Sequence, residues 1–308
     1  MAEEKAATRK RNLELNSAKL ATTLRQLPDG LNRTITRGKE TGAWLTVLLS
    51  IVNGTELSAE EFRDALIMRY GERPSNLPRE CDGCDAPFSL QHALGCKKGG
   101  LVIFRHNEVR DELAHLATKA FTPSAVRDEP LIRSGRVAEK MNVLNTKDAN
   151  QPDPTTQEAA PEDERGDLLI RGFWARGTDC ILDVRVTDTD AKSYCKRPPA
   201  KVLETQEKEK KRKYLENCLK QRRHFTPFVV SVDGLLGREA ATFSKRLAAK
   251  LASKWQRSYS EVCGYVNARL SICIVRATHL CLRGSRVPTD RVSTRRALWE
   301  DGAGLGLF

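Results

Sequence analysis

A mixed α/β fold is predicted, with central elements in the order helix, strand, strand, strand, helix, strand. Three patterns in the sequence indicate it. Residues 105–121 carry apolar side chains at helical spacing. Short segments rich in β-branched residues alternate with turn residues. A strongly charged helix over 200–222 precedes an apolar strand. The predicted strands are 126–132, 167–173, 180–187 and 225–232, and two further helices are predicted at 239–257 and 261–282.

The composition favours an intracellular protein. The chain has 308 residues and a formal net charge of +12, which allows one or two domains with a buried core. Its longest apolar segment, residues 44–52, is much shorter than the roughly 20 residues that span a membrane. No apolar signal sequence follows Met1. Nine cysteines, an odd number, are more typical of reduced thiols than of a disulfide framework.

Four regions are predicted along the chain. Residues 1–78 form a helical N-terminal region, in which Ser58-Ala-Glu-Glu61 has the pattern of a capping box. A small CCHC knuckle is expected over 79–100, and the α/β domain over 101–283. Residues 134–164 are polar and acidic and contain proline, so we expect a disordered insertion there. Residues 284–308 are predicted to be a loose tail.

The knuckle has the spacing Cys-x2-Cys-x7-His-x3-Cys. The predicted ligands are Cys81, Cys84, His92 and Cys96. Three thiolates and one imidazole match a closed, tetrahedral, structural zinc site. Bound zinc would stabilise a segment that is too short to bury a core of its own. The alternative is that three free cysteines lie close together by chance.

Positive charge is concentrated in residues 196–257, which hold 17 Lys and Arg against 6 Asp and Glu. Within the predicted helix 239–257, basic residues recur on one stripe without acidic residues between them. The stripe contains Arg246, Lys250, Lys254 and Arg257. A row of cations predicts contact with the phosphates of nucleic acid. The alternative is an ordinary solvated helix face.

Two carboxylates, Asp167 and Asp183, belong to predicted interior strands. A buried carboxylate is costly unless it is paired or binds a cation. On adjacent strands the two would share one Mg²⁺, which neutralises phosphate and activates water in metal-dependent nucleases. Alternatively, Asp183 merely pairs with Arg185 or with a basic helix. The helix 200–222 is expected to turn Lys210 toward the sheet, with Lys213 as a competing residue.

The predicted helix at 105–121 begins with further candidates. Arg105 and His106 are candidates for phosphate binding, and Asn107 has the residue type of a helix cap. Glu108 and Glu112 are candidates for an additional catalytic acid, between which the sequence does not choose.

Taken in order, five motifs resemble the C-terminal endonuclease region of non-LTR retrotransposon polyproteins, of the class with a restriction-like endonuclease. The motifs are the Cys-x2-Cys-x7-His-x3-Cys cluster, Arg105-His-Asn107, Arg165-Gly-Asp167, Asp183 and Lys213-Tyr214-Leu215. The resemblance covers residues 42–283. It implies that the predicted helices and strands form the αβββαβ core of the PD-(D/E)XK restriction-endonuclease-like fold.

The resemblance also implies an activity. A magnesium-dependent endonuclease would nick target DNA, and the freed 3′ hydroxyl would prime reverse transcription. Asp167 and Asp183 match the family's metal-binding acids, and Lys210 or Lys213 its lysine. DNA, element RNA and a reverse transcriptase supplied in cis or in trans are the implied partners, and the nucleus is the implied location. The sequence has no Asp-Asp dipeptide, so the aspartate pair of a polymerase palm is absent from it.

Three departures from the family pattern bear on the activity. Gly166 replaces the usual Pro before Asp167, and Arg185 replaces the common Lys. The separation of Asp167 from Asp183 is slightly long, and Asp179 is an alternative second acid. These departures leave a second interpretation open: a catalytically dead, zinc-containing nucleic-acid-binding protein derived from a retroelement. A basic scaffold for protein assembly is the third.

Overall fold

The computed structural model describes residues 2–134 and 163–287. Most of the predicted insertion at 134–164 and residues 288–308 of the predicted tail lie outside these ranges. The helices are α1 (Ala2–Gln26), α2 (Asp29–Arg37), α3 (Ala59–Arg69), α4 (Leu90–Gly95), α5 (Leu101–Ala120), α6 (Pro199–Lys220), α7 (Arg238–Trp255) and α8 (Tyr259–Arg283). The strands are β1 (Val126–Asp128), β2 (Leu131–Arg133), β3 (Glu164–Arg165), β4 (Leu168–Arg171), β5 (Asp179–Thr187) and β6 (His224–Ser231). The predicted mixed α/β class is confirmed.

A four-stranded mixed sheet has the order β1-β4-β5-β6. The first two pairings, β1 with β4 and β4 with β5, are antiparallel, and β5 and β6 are parallel. The strands β5 and β6 are joined through α6, because parallel neighbours need a long crossover. A separate two-stranded sheet pairs β2 with β3.

Two predicted boundaries differ from the structure. The single strand predicted at 126–132 is divided between two sheets, because Glu129 has a positive φ of 47° and Pro130 follows it. Helix α5 begins at Leu101, after Gly99 and Gly100 at φ of 65° and 72°. Asn107 therefore lies inside the helix and is not its cap.

The alternation of β4 and β5 decides which residues reach which side of the sheet. Leu168 and Leu182 are fully buried in the main core beneath α5, α7 and α8. Leu169 and Ile181 point the other way and pack with Tyr214 of α6. The odd-numbered positions of this antiparallel pair therefore face α6, and Asp183 of β5 is one of them.

The N-terminal region docks on α8 through α3. The predicted capping box is confirmed: the Ser58 hydroxyl accepts the Glu61 N–H at 3.1 Å, and the Glu61 carboxylate accepts the Ser58 N–H at 2.7 Å. One turn later, Asp64 is 1% exposed and accepts two hydrogen bonds of 2.8 Å from Arg283. This bidentate pair holds α3 against the last turn of α8, beside the knuckle.

Candidate functional site

The four predicted zinc ligands converge on one point. The ligand atoms of Cys81, Cys84, His92 and Cys96 all lie within 4.8 Å of one another. Cys96 Sγ is 3.9 Å from the Sγ atoms of Cys81 and Cys84, and Cys84 Sγ is 3.5 Å from His92 Nε2. Two sulfurs bound tetrahedrally to zinc at about 2.3 Å lie about 3.8 Å apart. The cluster can therefore hold a metal such as zinc.

Two local structures position these ligands. The Cys84 N–H donates to Cys81 O at 3.4 Å, which closes a tight turn and brings the two thiols to one side. The Ser89 hydroxyl caps α4 by accepting the His92 N–H at 3.1 Å. Cys96 follows the last residue of α4. The turn and the capped helix face each other across the cluster.

The cluster also favours the thiolate of Cys81, the form of cysteine that binds metal ions. Burial alone raises the pKa of the Cys81 thiol. A hydrogen bond from the Gly83 N–H and further hydrogen bonds with His92 and Cys84 oppose burial and lower the pKa to about 6. Cys81 is thus more readily deprotonated than a free cysteine, which favours binding of a cation.

The chain after α8 closes over the knuckle. Arg286 is 2% exposed, and its guanidinium donates to Ala93 O at 3.1 Å and to Cys281 O at 2.6 Å. The Asp82 carboxylate accepts the Arg286 N–H at 2.7 Å and the Ser285 hydroxyl at 2.8 Å. The predicted loose tail is therefore wrong for residues 284–287. No sequence motif marks this contact, since its partners are about 200 residues apart in the chain.

Arg286→Met is expected to accelerate zinc release about 10-fold or more, because loss of a partner that supports the ligands typically costs 10- to 100-fold in metal affinity. A chromogenic chelator would follow release from zinc-loaded protein. Arg257→Met, which changes an exposed arginine beyond α7, is the matched control. Equal release rates for Arg286→Met and wild type would mean that this segment does not stabilise the knuckle.

The two predicted metal-binding acids lie close to each other where β4 begins beside β5. The Asp167 carboxylate accepts the Val184 N–H at 2.6 Å, so it lies against β5 next to Asp183. Asp183 is 5% exposed. Burial raises the pKa of its carboxyl, Lys210 opposes this effect, and the charge of Asp167 adds to it. The arrangement is a partly neutralised carboxylate pair.

His106 reaches the same place from α5. Its Nε2 is 3.2 Å from Asp167 Oδ2 and 3.2 Å from Val184 O. Burial disfavours the imidazolium, but the hydrogen bond to Asp167 and the charges of both acids raise the pKa of His106 above its usual value. The sequence predicts that His106 binds phosphate, whereas in the structure its side chain contacts the Asp167 carboxylate.

Lys210 contacts Asp183 directly, with Nζ 2.6 Å from Oδ2. The predicted orientation of α6 is confirmed, since Glu207 is 5% exposed and Lys210 faces the sheet. Glu207 does not pair with Lys210. It accepts the Glu239 N–H at 2.9 Å and so caps the first turn of α7, a role that the sequence analysis missed.

The competing residues lie farther from the acids. Arg185 forms an ion pair of 3.0 Å with Glu209. Lys213 lies over the Tyr214 ring, 4.7 Å from its centroid. Asp179, the alternative second acid, begins β5 and pairs with Arg171 at 3.4 Å. Of the basic residues weighed from the sequence, Lys210 is the one in contact with Asp183.

The predicted additional acids face away from this site. Glu108 is two residues beyond His106, which places it about 200° around the helix, and its backbone oxygen accepts the Cys273 thiol of α8 at 3.3 Å. Glu112 forms a 2.7 Å ion pair with Arg269 of α8. Both belong to the packing of α5 on α8, so the structure does not bring either to the carboxylates. The angular positions of Glu108 and Glu112 relative to His106 on the predicted helix could have shown this from the sequence.

Arg105 lies beside this site in a groove of about 300 Å³ that His106, Arg185 and Lys210 also line. It is 5% exposed. Its Nε and Nη1 are buried and have no hydrogen-bond partner within the described ranges. The Cys281 thiol is hydrogen-bonded to Arg105, and the combined charge of the three cations along this groove favours an anionic ligand.

The predicted DNA-binding stripe on α7 is partly engaged inside the protein. Arg246 donates to Phe173 O at 2.7 Å and to Trp174 O at 2.6 Å. Lys254 donates to Phe121 O at 2.7 Å, while Lys250 is exposed. The spacing of the residues predicts a row of cations. It does not tell whether these cations donate to nucleic-acid phosphates or to backbone carbonyls of the protein itself. DNA contact by these residues stays a prediction.

Arg246→Ala is expected to lower the free energy of unfolding by about 1–2 kcal/mol, because two backbone carbonyls lose a charged donor. Lys245→Ala removes the same charge from the neighbouring exposed position and should stay within about 0.5 kcal/mol of wild type. Urea titrations of the three proteins would measure both effects. Similar values for the two variants would contradict a structural role for Arg246.

Comparison with known proteins identified no relative of this chain among protein-family models or curated proteins. Among the helices that the structure describes, none has the length and hydropathy of a membrane span. The structure therefore shows the fold class, a Cys/His cluster that could hold a metal such as zinc, and the convergence of the two acids with Lys210 and His106.

Proposed function

We propose that the protein is a magnesium-dependent DNA endonuclease of a retroelement, with a restriction-like core, that nicks target DNA to prime reverse transcription. The observation that carries this proposal is the meeting of Asp167, Asp183 and Lys210 where β4 begins beside the middle of β5. Two acids from neighbouring strands and one lysine from the crossover helix make up the set of groups that metal-dependent phosphodiester hydrolysis requires.

The residues at the site fit a hard divalent cation. Asp183 Oδ2 is buried, and apart from its ion pair with Lys210 it makes no hydrogen bond within the described chain. Asp167 lies close enough to alter the pKa of Asp183. Asp167 and Asp183 would hold Mg²⁺, which would polarise the phosphate and lower the pKa of bound water. The cation would also relieve the repulsion between the two carboxylates.

The surrounding side chains have matching roles in this proposal. Arg105, with Arg185 and Lys210 in the same groove, would attract the scissile phosphate and so help to hold the phosphorus in line with the attacking water. His106, hydrogen-bonded to Asp167, fixes the orientation of that carboxylate. Lys210, now paired with Asp183, would be close enough to serve the phosphate or the attacking water if a cation took its place on the acid. The zinc knuckle has a structural role.

The net charge of +12 supports a polyanionic partner, and target DNA in the nucleus is the partner and location that the proposal requires. Element RNA and a reverse transcriptase supplied in cis or in trans would complete the priming reaction. No Asp-Asp dipeptide is present in the sequence, so strand synthesis is assigned to that second protein or domain.

Supercoiled-plasmid nicking tests the proposal. Zinc-loaded protein is incubated with Mg²⁺, with Ca²⁺ or without added metal, which avoids a chelator that would strip the knuckle. Open-circular product with Mg²⁺ alone is the expected result. The second candidate function, a dead nuclease that only binds nucleic acid, is favoured by the 2.6 Å contact that already neutralises Asp183. DNA binding without nicking in Mg²⁺ or Mn²⁺ would establish that candidate instead.

A further inference from the structure

Helix α1 presents a long surface to solvent. Every residue from Glu4 to Lys19 is exposed. The helix is anchored near its C-terminal end, where Asn32 Nδ2 donates to Leu24 O at 2.8 Å. The first four turns therefore make no contribution to a buried core, and their side chains are available to a partner.

One face of this helix combines cations with amides and contains no acid. At 100° per residue, its members fall within an arc of about 80°. They are Lys5, Arg9, Asn12, Asn16 and Lys19. Glu4 and Glu14 lie outside the arc. The three cations of this face, here called the α1 basic face, form no ion pair with any residue in the described ranges.

We propose that the α1 basic face binds double-stranded DNA, with Lys5, Arg9 and Lys19 on backbone phosphates. From Lys5 to Lys19 the face spans about 21 Å, or about six base pairs. A helix about 10–12 Å across with its side chains matches a DNA major groove about 12 Å wide. The corresponding groove of duplex RNA is too narrow to admit it. The inference rests on the proposed function only in taking DNA as the partner.

Two variants with equal loss of charge test the assignment. Lys5→Ala/Arg9→Ala/Lys19→Ala removes the face, and Lys10→Ala/Arg11→Ala/Arg25→Ala removes three cations outside it. Alanine favours helix, so circular dichroism should be unchanged for both. Fluorescence anisotropy with a 20-base-pair duplex, between 50 and 200 mM salt and without added divalent metal, gives the affinities. The first variant should make the salt slope shallower by about two to three units, near 0.9 for each phosphate that is no longer neutralised, and the second by less than about one.

Three of the other possible results count against the inference. Equal losses in both variants would mean that total charge, and not this face, attracts DNA. An equal dependence on the face for duplex RNA would remove the assignment to DNA. If wild type nicks plasmid and the first variant binds DNA unchanged, only this inference fails. If the slope depends on the face but wild type never nicks, the inference stands and the proposed endonuclease fails.

Discussion

Asp183→Asn is expected to reduce magnesium-dependent nicking by about 1,000-fold while DNA affinity stays within about twofold. The amide keeps the size of the side chain but removes the charge that would hold the cation. A catalytic metal supplies several kcal/mol of transition-state stabilisation, and about 4 kcal/mol corresponds to that rate loss. Single-turnover nicking and anisotropy on the same preparations would separate the two effects.

Asp179→Asn is the matched control for this prediction, because it changes the same residue type at the first residue of β5, where Asp179 pairs with Arg171 at 3.4 Å. It should nick at close to the wild-type rate. If Asp179→Asn is inactive and Asp183→Asn is active, the second acid is Asp179.

Cys96→Ser is expected to bring the zinc content from about one equivalent to less than about 0.2, since hydroxyl oxygen is a poor substitute for a thiolate in a closed four-ligand site. Structural zinc in small segments supplies on the order of 10 kcal/mol of folding free energy. The knuckle should therefore become protease-sensitive, and the melting temperature should fall. Elemental analysis and limited proteolysis would measure these changes.

Cys195→Ser provides the control, because Cys195 is an exposed thiol outside the cluster and its substitution should leave both zinc content and proteolysis unchanged. A metal content near one equivalent in Cys96→Ser would mean that the fourth ligand has been misassigned. Wild-type protein that carries less than about half an equivalent after zinc-replete expression would contradict the cluster as a zinc site.

Local sequence patterns predicted the fold class and the metal cluster. Cys-x2-Cys places two ligands in one tight turn, and His-x3-Cys places the other two in and just after a short helix. All four ligands lie within 16 residues of sequence, so local spacing is enough to predict that they come together. Apolar periodicity likewise predicts α5 and the last two helices, because each buries a stripe of its own residues. An acid between Ile, Leu and Val predicted that Asp183 would be buried and in need of a partner.

Tertiary structure decided which residues meet, because that depends on contacts between distant segments. Helical periodicity put Lys210 toward the sheet, but only the packing of α6 places its ammonium on Asp183. Arg246 belongs to a basic stripe in the sequence, and the loop at 173–174 gives it backbone acceptors. Arg286 follows the last helix without any sequence pattern of its own, and the end of α8 places it against the knuckle. Sequence periodicity determines which face of an element is buried, whereas partners come from the assembly of elements.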